Sequence, residues 1–160
     1  MPQIDEHLNW CLKGPRRLVK TGPDMDLAQK HLKKSEYNYN VIQTLEKLNI
    51  DDWALNVGFY AIYHCFLAIL AKYGYSSRNQ ACTVTVLLTL INDKKLDFDK
   101  DLVTQFDTLD VEKNIANPTV RESRELSTYG VETSIDLQQL KNIKELTLKV
   151  QREAIRVLGE

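Results

Sequence analysis

The stretch Asp52-Trp53-Ala54-Leu55-Asn56-Val57-Gly58-Phe59-Tyr60-Ala61-Ile62-Tyr63-His64-Cys65-Phe66-Leu67-Ala68-Ile69-Leu70-Ala71-Lys72-Tyr73 decides how the rest of the chain is read. Sixteen of the 19 residues from Trp53 to Ala71 are apolar. A helix of roughly 20 such residues can cross a bilayer. Against a span, Asn56, Gly58 and His64 interrupt the run, Asp51 and Asp52 stand at one end and Lys72 at the other, and the surrounding chain is polar and amphipathic. A helix that is apolar all round also suits the centre of a bundle, where neighbours cover every face. The stretch therefore predicts a central buried helix over roughly 52–73 and no membrane association.

Working back from it, Asn49-Ile50-Asp51 is a tight connection, with Asp51 or Asp52 as the expected N-cap. Before it, Met25, Ala28, Leu32, Ser35, Tyr39 and Ile42 recur at steps of three and four, and Leu45 and Leu48 extend the stripe, which predicts an amphipathic helix over 24–48. Pro23 fits its first turn. Gly14-Pro15 and Thr21-Gly22-Pro23 break the chain earlier, leaving a short helix over Ile4–Leu12.

Working forward, Gly74 suits the position just past a helix end, and Ser76–Asn79 offers caps for the next element. Gln80–Ile91 carries Thr83, Val84, Thr85 and Val86, whose β-branching suits a strand. No strand partner is evident elsewhere, so a helix is expected. Asn92–Lys100 is an acidic connection, and Leu102, Val103, Phe106 and Leu109 mark another helix. Asn117-Pro118 signals a helix start, with Asn as cap and Pro first in the helix, ending near Tyr129-Gly130. Thr133-Ser134 is the expected cap of a last helix with the stripe Leu140, Ile143, Thr147, Val150, Ala154 and Val157. Short loops between long helices favour antiparallel neighbours. The expected fold is all-α, an up-and-down four-helix bundle with additional short helices. Residues 1–22 form an N-terminal extension with a short helix, and 23–160 form the bundle domain.

The net charge of −1 over 160 residues gives no global attraction to nucleic acid or acidic membrane. Charge is unevenly spread: residues 1–34 hold seven Lys/Arg against four acids, and 93–112 hold seven acids against three Lys. Residues 141–158 again lean basic, with five basic residues against two acids. Such segments read as solvated helix faces or, alternatively, as a basic surface. Cys11, Cys65 and Cys82 form an odd, scattered set without C-x-x-C spacing, which suits a reducing cytosol. Cys65 reads as a small buried hydrophobe. The N-terminal Met-Pro-Gln-Ile-Asp-Glu-His has neither basic start nor apolar stretch, so no secretory signal is expected and the location expected is cytoplasmic. Gly-rich phosphate loops, G-x-S-x-G and H-E-x-x-H are absent. His7, His31 and His64 lie far apart, and none has a Glu three residues before it, so no metal and no cofactor are expected.

Two local features bear on function. His64 sits mid-way along the central helix, where a buried imidazole needs a partner; it reads as a hydrogen-bonded core residue or as a proton-transfer or phosphate-binding group at a cleft. The second is Arg121-Glu122-Ser123-Arg124-Glu125-Leu126-Ser127-Thr128-Tyr129-Gly130. Arg121 and Arg124 share a helix face, as do Arg124 and Thr128. Glu122 and Glu125 can neutralise these arginines, or the arginines can clamp a phosphate through planar bidentate contacts.

Tyr60-Ala61-Ile62-Tyr63-His64-Cys65-Phe66-Leu67-Ala68-Ile69-Leu70, followed by Lys72-Tyr73-Gly74-Tyr75, resembles the second main helix of HEPN domains, with their Tyr-Ala-x-aromatic-His run. Arg121–Gly130 resembles the later motif of that family, and the likeness covers roughly residues 24–158. It implies a helical bundle that pairs into a homodimer. In ribonuclease members an Arg and a His at the dimer cleft cut RNA without metal, leaving a cyclic phosphate. Many members belong to toxin–antitoxin or defence systems beside a small nucleotidyltransferase. This chain departs from the motif, because after Arg124 and four intervening residues comes Tyr129 rather than His. Activating a ribose 2′-OH needs a base with a pKa near the working pH; a histidine, ordinarily about 6.5, serves, while a tyrosine, ordinarily about 10, does not. The resemblance thus implies a non-catalytic module binding a nucleotide, an RNA or a partner protein through Arg121, Arg124, Thr128 and Tyr129. Alternatives are a metal-independent endoribonuclease toxin using Arg124, Tyr129 and His64, or a purely structural interaction subunit.

Overall fold

The structure, a computed structural model, describes residues 2–107, 119–133 and 135–160. Among these, seven helices and two short strands run in the order α1 (Pro2–Leu12), β1 (Leu18–Lys20), α2 (Met25–Lys47), α3 (Asp51–Lys72), β2 (Tyr75–Ser77), α4 (Gln80–Asn92), α5 (Lys100–Phe106), α6 (Val120–Tyr129) and α7 (Leu137–Leu158). The chain is thus mostly helical, and the β-branched run Thr83–Val86 lies inside α4.

The apolar stretch is α3, and α2, α7 and α6 pack along it. Among the described residues it is the one helix long and apolar enough to cross a membrane, but 72% of its most apolar window is buried within the chain's own fold. Phe59, Ile62, Phe66, Ile69 and Leu70 are fully enclosed. Gly58 allows the closest approach, since a Cβ there would stand 2.5 Å from Cγ2 of Ile143 on α7. The α7 stripe Leu140, Ile143, Thr147, Val150, Ala154 and Val157 is buried throughout. In α2, Ala28, Leu32, Ser35 and Ile42 are buried, while Met25 and Leu48 at the ends of the expected stripe are exposed.

Several helix ends differ from expectation. The N-cap of α3 is Ile50, which makes no side-chain cap bond; Asp51 and Asp52 fall in the first turn, where a negative charge meets the positive end of the helix dipole. The cap of α6 is Thr119, whose hydroxyl accepts from the Glu122 N–H, whereas Asn117-Pro118 lies outside the described residues. The cap of α7 is Asp136, accepting from the Gln138 N–H, and not Thr133; Ser134 is outside the described residues, as is Leu109. Asn79 caps α4 as expected. Gly74, at φ +83°, ends α3 in the left-handed region and accepts a 2.7 Å bond from the Thr21 N–H.

A feature not read from sequence is the pair β1 and β2, which run antiparallel with Leu18 opposite Ser77 and Lys20 opposite Tyr75. Three-residue strands are too short to show an alternating pattern. This pairing, the packing of α1 on α4 and a Cys11–Cys82 disulfide tie the N-terminal segment to the helices that follow. The reading of the cysteines as a scattered set missed that pairing, because 71 residues separate the two in sequence and only the fold brings their Cα atoms to 5.8 Å.

Candidate functional site

Helix α3 meets different chemistry on its two sides. Towards α2 and α7, Ser35 Oγ donates to the Ala61 carbonyl at 2.5 Å and accepts from Gln151 Nε2 at 3.0 Å. It also lies 3.1 Å from Cys65 Sγ. Since the hydroxyl proton goes to the carbonyl, the Cys65 thiol is the donor in that contact. Burial pushes this thiol up to about 12, so it keeps its proton. Ser35 thus fills both its lone pairs and its donor.

His64 projects to the same side. Its Nδ1 lies 3.0 Å from Nδ1 of His31 on α2, so one ring donates and the other accepts. Burial, with the nearby charges of His31 and then Lys34, lowers His64 to about 4, and burial lowers His31 too. Two neutral imidazoles satisfying each other fit that environment.

Towards α6, the arrangement is different. Arg124 reaches across from α6 and sets its guanidinium over the Phe59 ring, 4.5 Å from the centroid. Its side chain is only 12% exposed. Among the described residues its Nε is buried without a hydrogen-bond partner and its one ion contact is Glu125 at 3.9 Å, too long for a hydrogen bond. Thr128 Oγ1, one turn further along α6, and Asn56 Oδ1, one turn before Phe59 on α3, are also buried and unpartnered. Tyr60 packs edge-on against the Phe59 ring at 5.0 Å and is 42% exposed, and Trp53, seven residues before Tyr60 and so on Tyr60's side of α3, is 54% exposed. Among the described residues a cation and, one turn on, a hydroxyl on α6 are thus without partners, as is an amide oxygen one turn before Phe59 on α3.

Arg121 does not join Arg124 as a second clamp. Its Nε donates to Asp107 at 2.9 Å and its Nη1 to Glu125 at 2.9 Å. Burial pushes the Asp107 carboxyl up, and the Arg121 bond offsets that only in part. The same bond raises the guanidinium's own pKa. Tyr129, at the end of α6, is 78% exposed. His64 does not reach Arg124, because it lies five positions beyond Phe59, about 140° around the helix, and faces His31. Of the residues singled out from sequence, the structure brings Arg124 and Thr128 together and leaves Arg121, Tyr129 and His64 apart from them.

Asn56 and Phe59 were missed as site residues. The signal for Asn56 was present, since it is one of few polar breaks in the apolar run, yet it reads there only as evidence against a membrane span. A separate group also escaped: the ligand atoms of His7, Cys11 and Cys82 lie within 4.8 Å of one another. His–Cys–Cys sets of this kind are capable of holding zinc, but the two sulfurs here are bonded to each other. No family model matches this chain, and no curated protein matches it.

Proposed function

We propose that this chain is a HEPN-like module, an up-and-down four-helix bundle built on α2, α3, α6 and α7, that binds a phosphate-bearing ligand, an RNA or a nucleotide, without cutting it. The observation that carries the reading is Arg124, a nearly buried arginine over Phe59 whose Nε has no partner among the described residues, with Thr128 Oγ1 one turn further along α6 and Asn56 Oδ1 one turn before Phe59 also unpartnered there. Unpaired buried polar groups cost about 1–3 kcal/mol each, so a protein that keeps three has a use for them. A guanidinium recognises phosphate, Thr and Asn recognise sugar hydroxyls or a base edge, and exposed aromatic rings such as Tyr60 and Trp53 stack on bases.

Lack of cleavage follows from the bases at hand. Tyr129 stands in place of the motif histidine, and His64 is engaged with His31 and held at about 4. A group that weakly basic is poorly matched to taking a proton from a 2′-OH near neutral pH. The setting we propose is a cytoplasmic homodimer acting beside a small nucleotidyltransferase in a toxin–antitoxin or defence system, a setting that rests on the HEPN resemblance.

Incubating the protein with mixed RNA in the presence of a chelator tests the reading. Retarded but intact RNA, with the retardation lost in Arg124→Ala, is expected. Cleavage that disappears in Arg124→Ala would turn the module into a metal-independent ribonuclease, and no retardation at all would leave a structural subunit.

A further inference from the structure

The N-terminal helix α1 lies on α4 and is held there by one covalent bond. Cys11, in the last turn of α1, is joined to Cys82, in the first turn of α4, and neither residue is accessible. Around the bond the polar groups are specific. His7, one turn before Cys11, places Nδ1 2.7 Å from Thr85 Oγ1 and 3.8 Å from Cys11 Sγ. The Thr85 hydroxyl donates to the Ala81 carbonyl at 2.9 Å, so in the Thr85–His7 contact it accepts, and the network assigns the His7 proton to Nδ1. An N–H donor therefore points at the Thr85–Cys11 corner. The His7 ring stacks on Trp10 at 5.4 Å, and the Arg17 guanidinium covers the Trp10 ring at 3.8 Å while donating to the Trp10 carbonyl at 2.7 Å. The Cys11 sulfur thus has a hydrogen-bond donor, the His7 N–H, beside it, and such a donor stabilises a thiolate.

Apart from the bond, α1 has little hold on the fold. It is 11 residues long, shorter than an isolated helix needs in water. Its buried residues are Ile4 and Cys11, with Leu8 and Leu12 partly buried. A disulfide is also at odds with a reducing compartment, where such bonds, when they form, are transient.

We propose that Cys11–Cys82 is a reversible thiol–disulfide site, with His7 as the positioning group for Cys11, and that its reduction by a dithiol releases α1 from α4. In the first step α1 frays from α4 and uncovers the bond, and a thiolate of the dithiol attacks Cys82 Sγ. The S–S bond breaks, Cys11 leaves as a thiolate beside the His7 N–H, and a mixed disulfide forms on Cys82. The second thiol of the reductant then attacks its own sulfur in that mixed disulfide, closing a cyclic disulfide and releasing the Cys82 thiolate. Two electrons pass from the dithiol to the protein, and with the two protons that the dithiol's thiols give up, both cysteines end as thiols. This site lies apart from Arg124, and its test is independent of RNA binding.

The full chain, purified without reductant, is alkylated under denaturing conditions and weighed, and its hydrogen–deuterium exchange is followed with and without dithiothreitol. One modified thiol, Cys65, is expected before reduction and three after it. Reduction is expected to speed exchange in residues 2–12 by at least about tenfold while α3 stays protected, because the 71-residue separation makes the bond a strong constraint. Cys82→Ser should exchange fast in α1 with or without reductant. His7→Phe should slow reduction and alter its pH profile, a change that a merely space-filling His7 would not produce. Three free thiols before reduction, unchanged α1 exchange on reduction, or stoichiometric zinc held by the reduced protein would each overturn the proposal.

Discussion

On the α2–α7 side of α3, Ser35 is bonded to Gln151, Ala61 and Cys65, and His31 is bonded to His64. On the α6 side, the atoms Arg124 Nε, Thr128 Oγ1 and Asn56 Oδ1 are also buried and have no partner among the described residues. One helix thus separates polar groups that hold the fold together from polar groups the fold leaves unmet. Burial alone does not distinguish them; a complete count of donors and acceptors does. The satisfied side reads as structure, the unsatisfied side as a place for a ligand.

The comparison can be broken most readily at Ser35. Ser35→Ala leaves Gln151 Nε2 without its acceptor in a closed interior, and the expected cost is about 1–3 kcal/mol in a urea unfolding curve at neutral pH. A loss within error would mean that the two sides of α3 are not different in kind.

A smaller effect sharpens the same side through pH. The folded pKa of His64 is lowered by burial, then by the charges of His31 and Lys34, from 6.5 to about 4. A base held below its unfolded value takes its proton more readily when unfolded. Its contribution is therefore complete above pH 6.5 and is lost as pH falls through 4. Because the ring is only half-buried, solvent screening limits the effect to about 1 kcal/mol. Wild type should lose that much more stability than His64→Gln between pH 6.5 and 4, and parallel pH profiles would show that the pair is not coupled to folding.

Much of this was legible in the sequence, and the reasons for the misses are physical. The central helix and the α2 and α7 stripes follow from periodicity and length, the helical state of α4 follows from the lack of a strand partner for its β-branched run, and all appear in the structure. Caps moved by one to three residues because Asp, Asn, Ser and Thr crowd each helix start, so several residues compete for one role. The strand pair and the Cys11–Cys82 bond were invisible because both join residues far apart in sequence through short local signals. At the site, Arg124 and Thr128 share a face at i, i+4 spacing, which sequence shows. That Arg121 is neutralised by Asp107 on another element and that His64 turns to His31 are tertiary facts.

The most direct test is the thermal melting of wild type and Arg124→Met, each with and without a short single-stranded RNA. If Arg124 is kept for a ligand, Arg124→Met alone should melt at or above the wild-type temperature, since an unpaired buried donor has been removed. RNA should then raise the melting temperature of wild type by mass action and leave Arg124→Met unmoved. If instead Arg124→Met melts lower and RNA shifts neither protein, Arg124 is a strut packed on Phe59, and the unmet atoms on the α6 side of α3 are not a binding site.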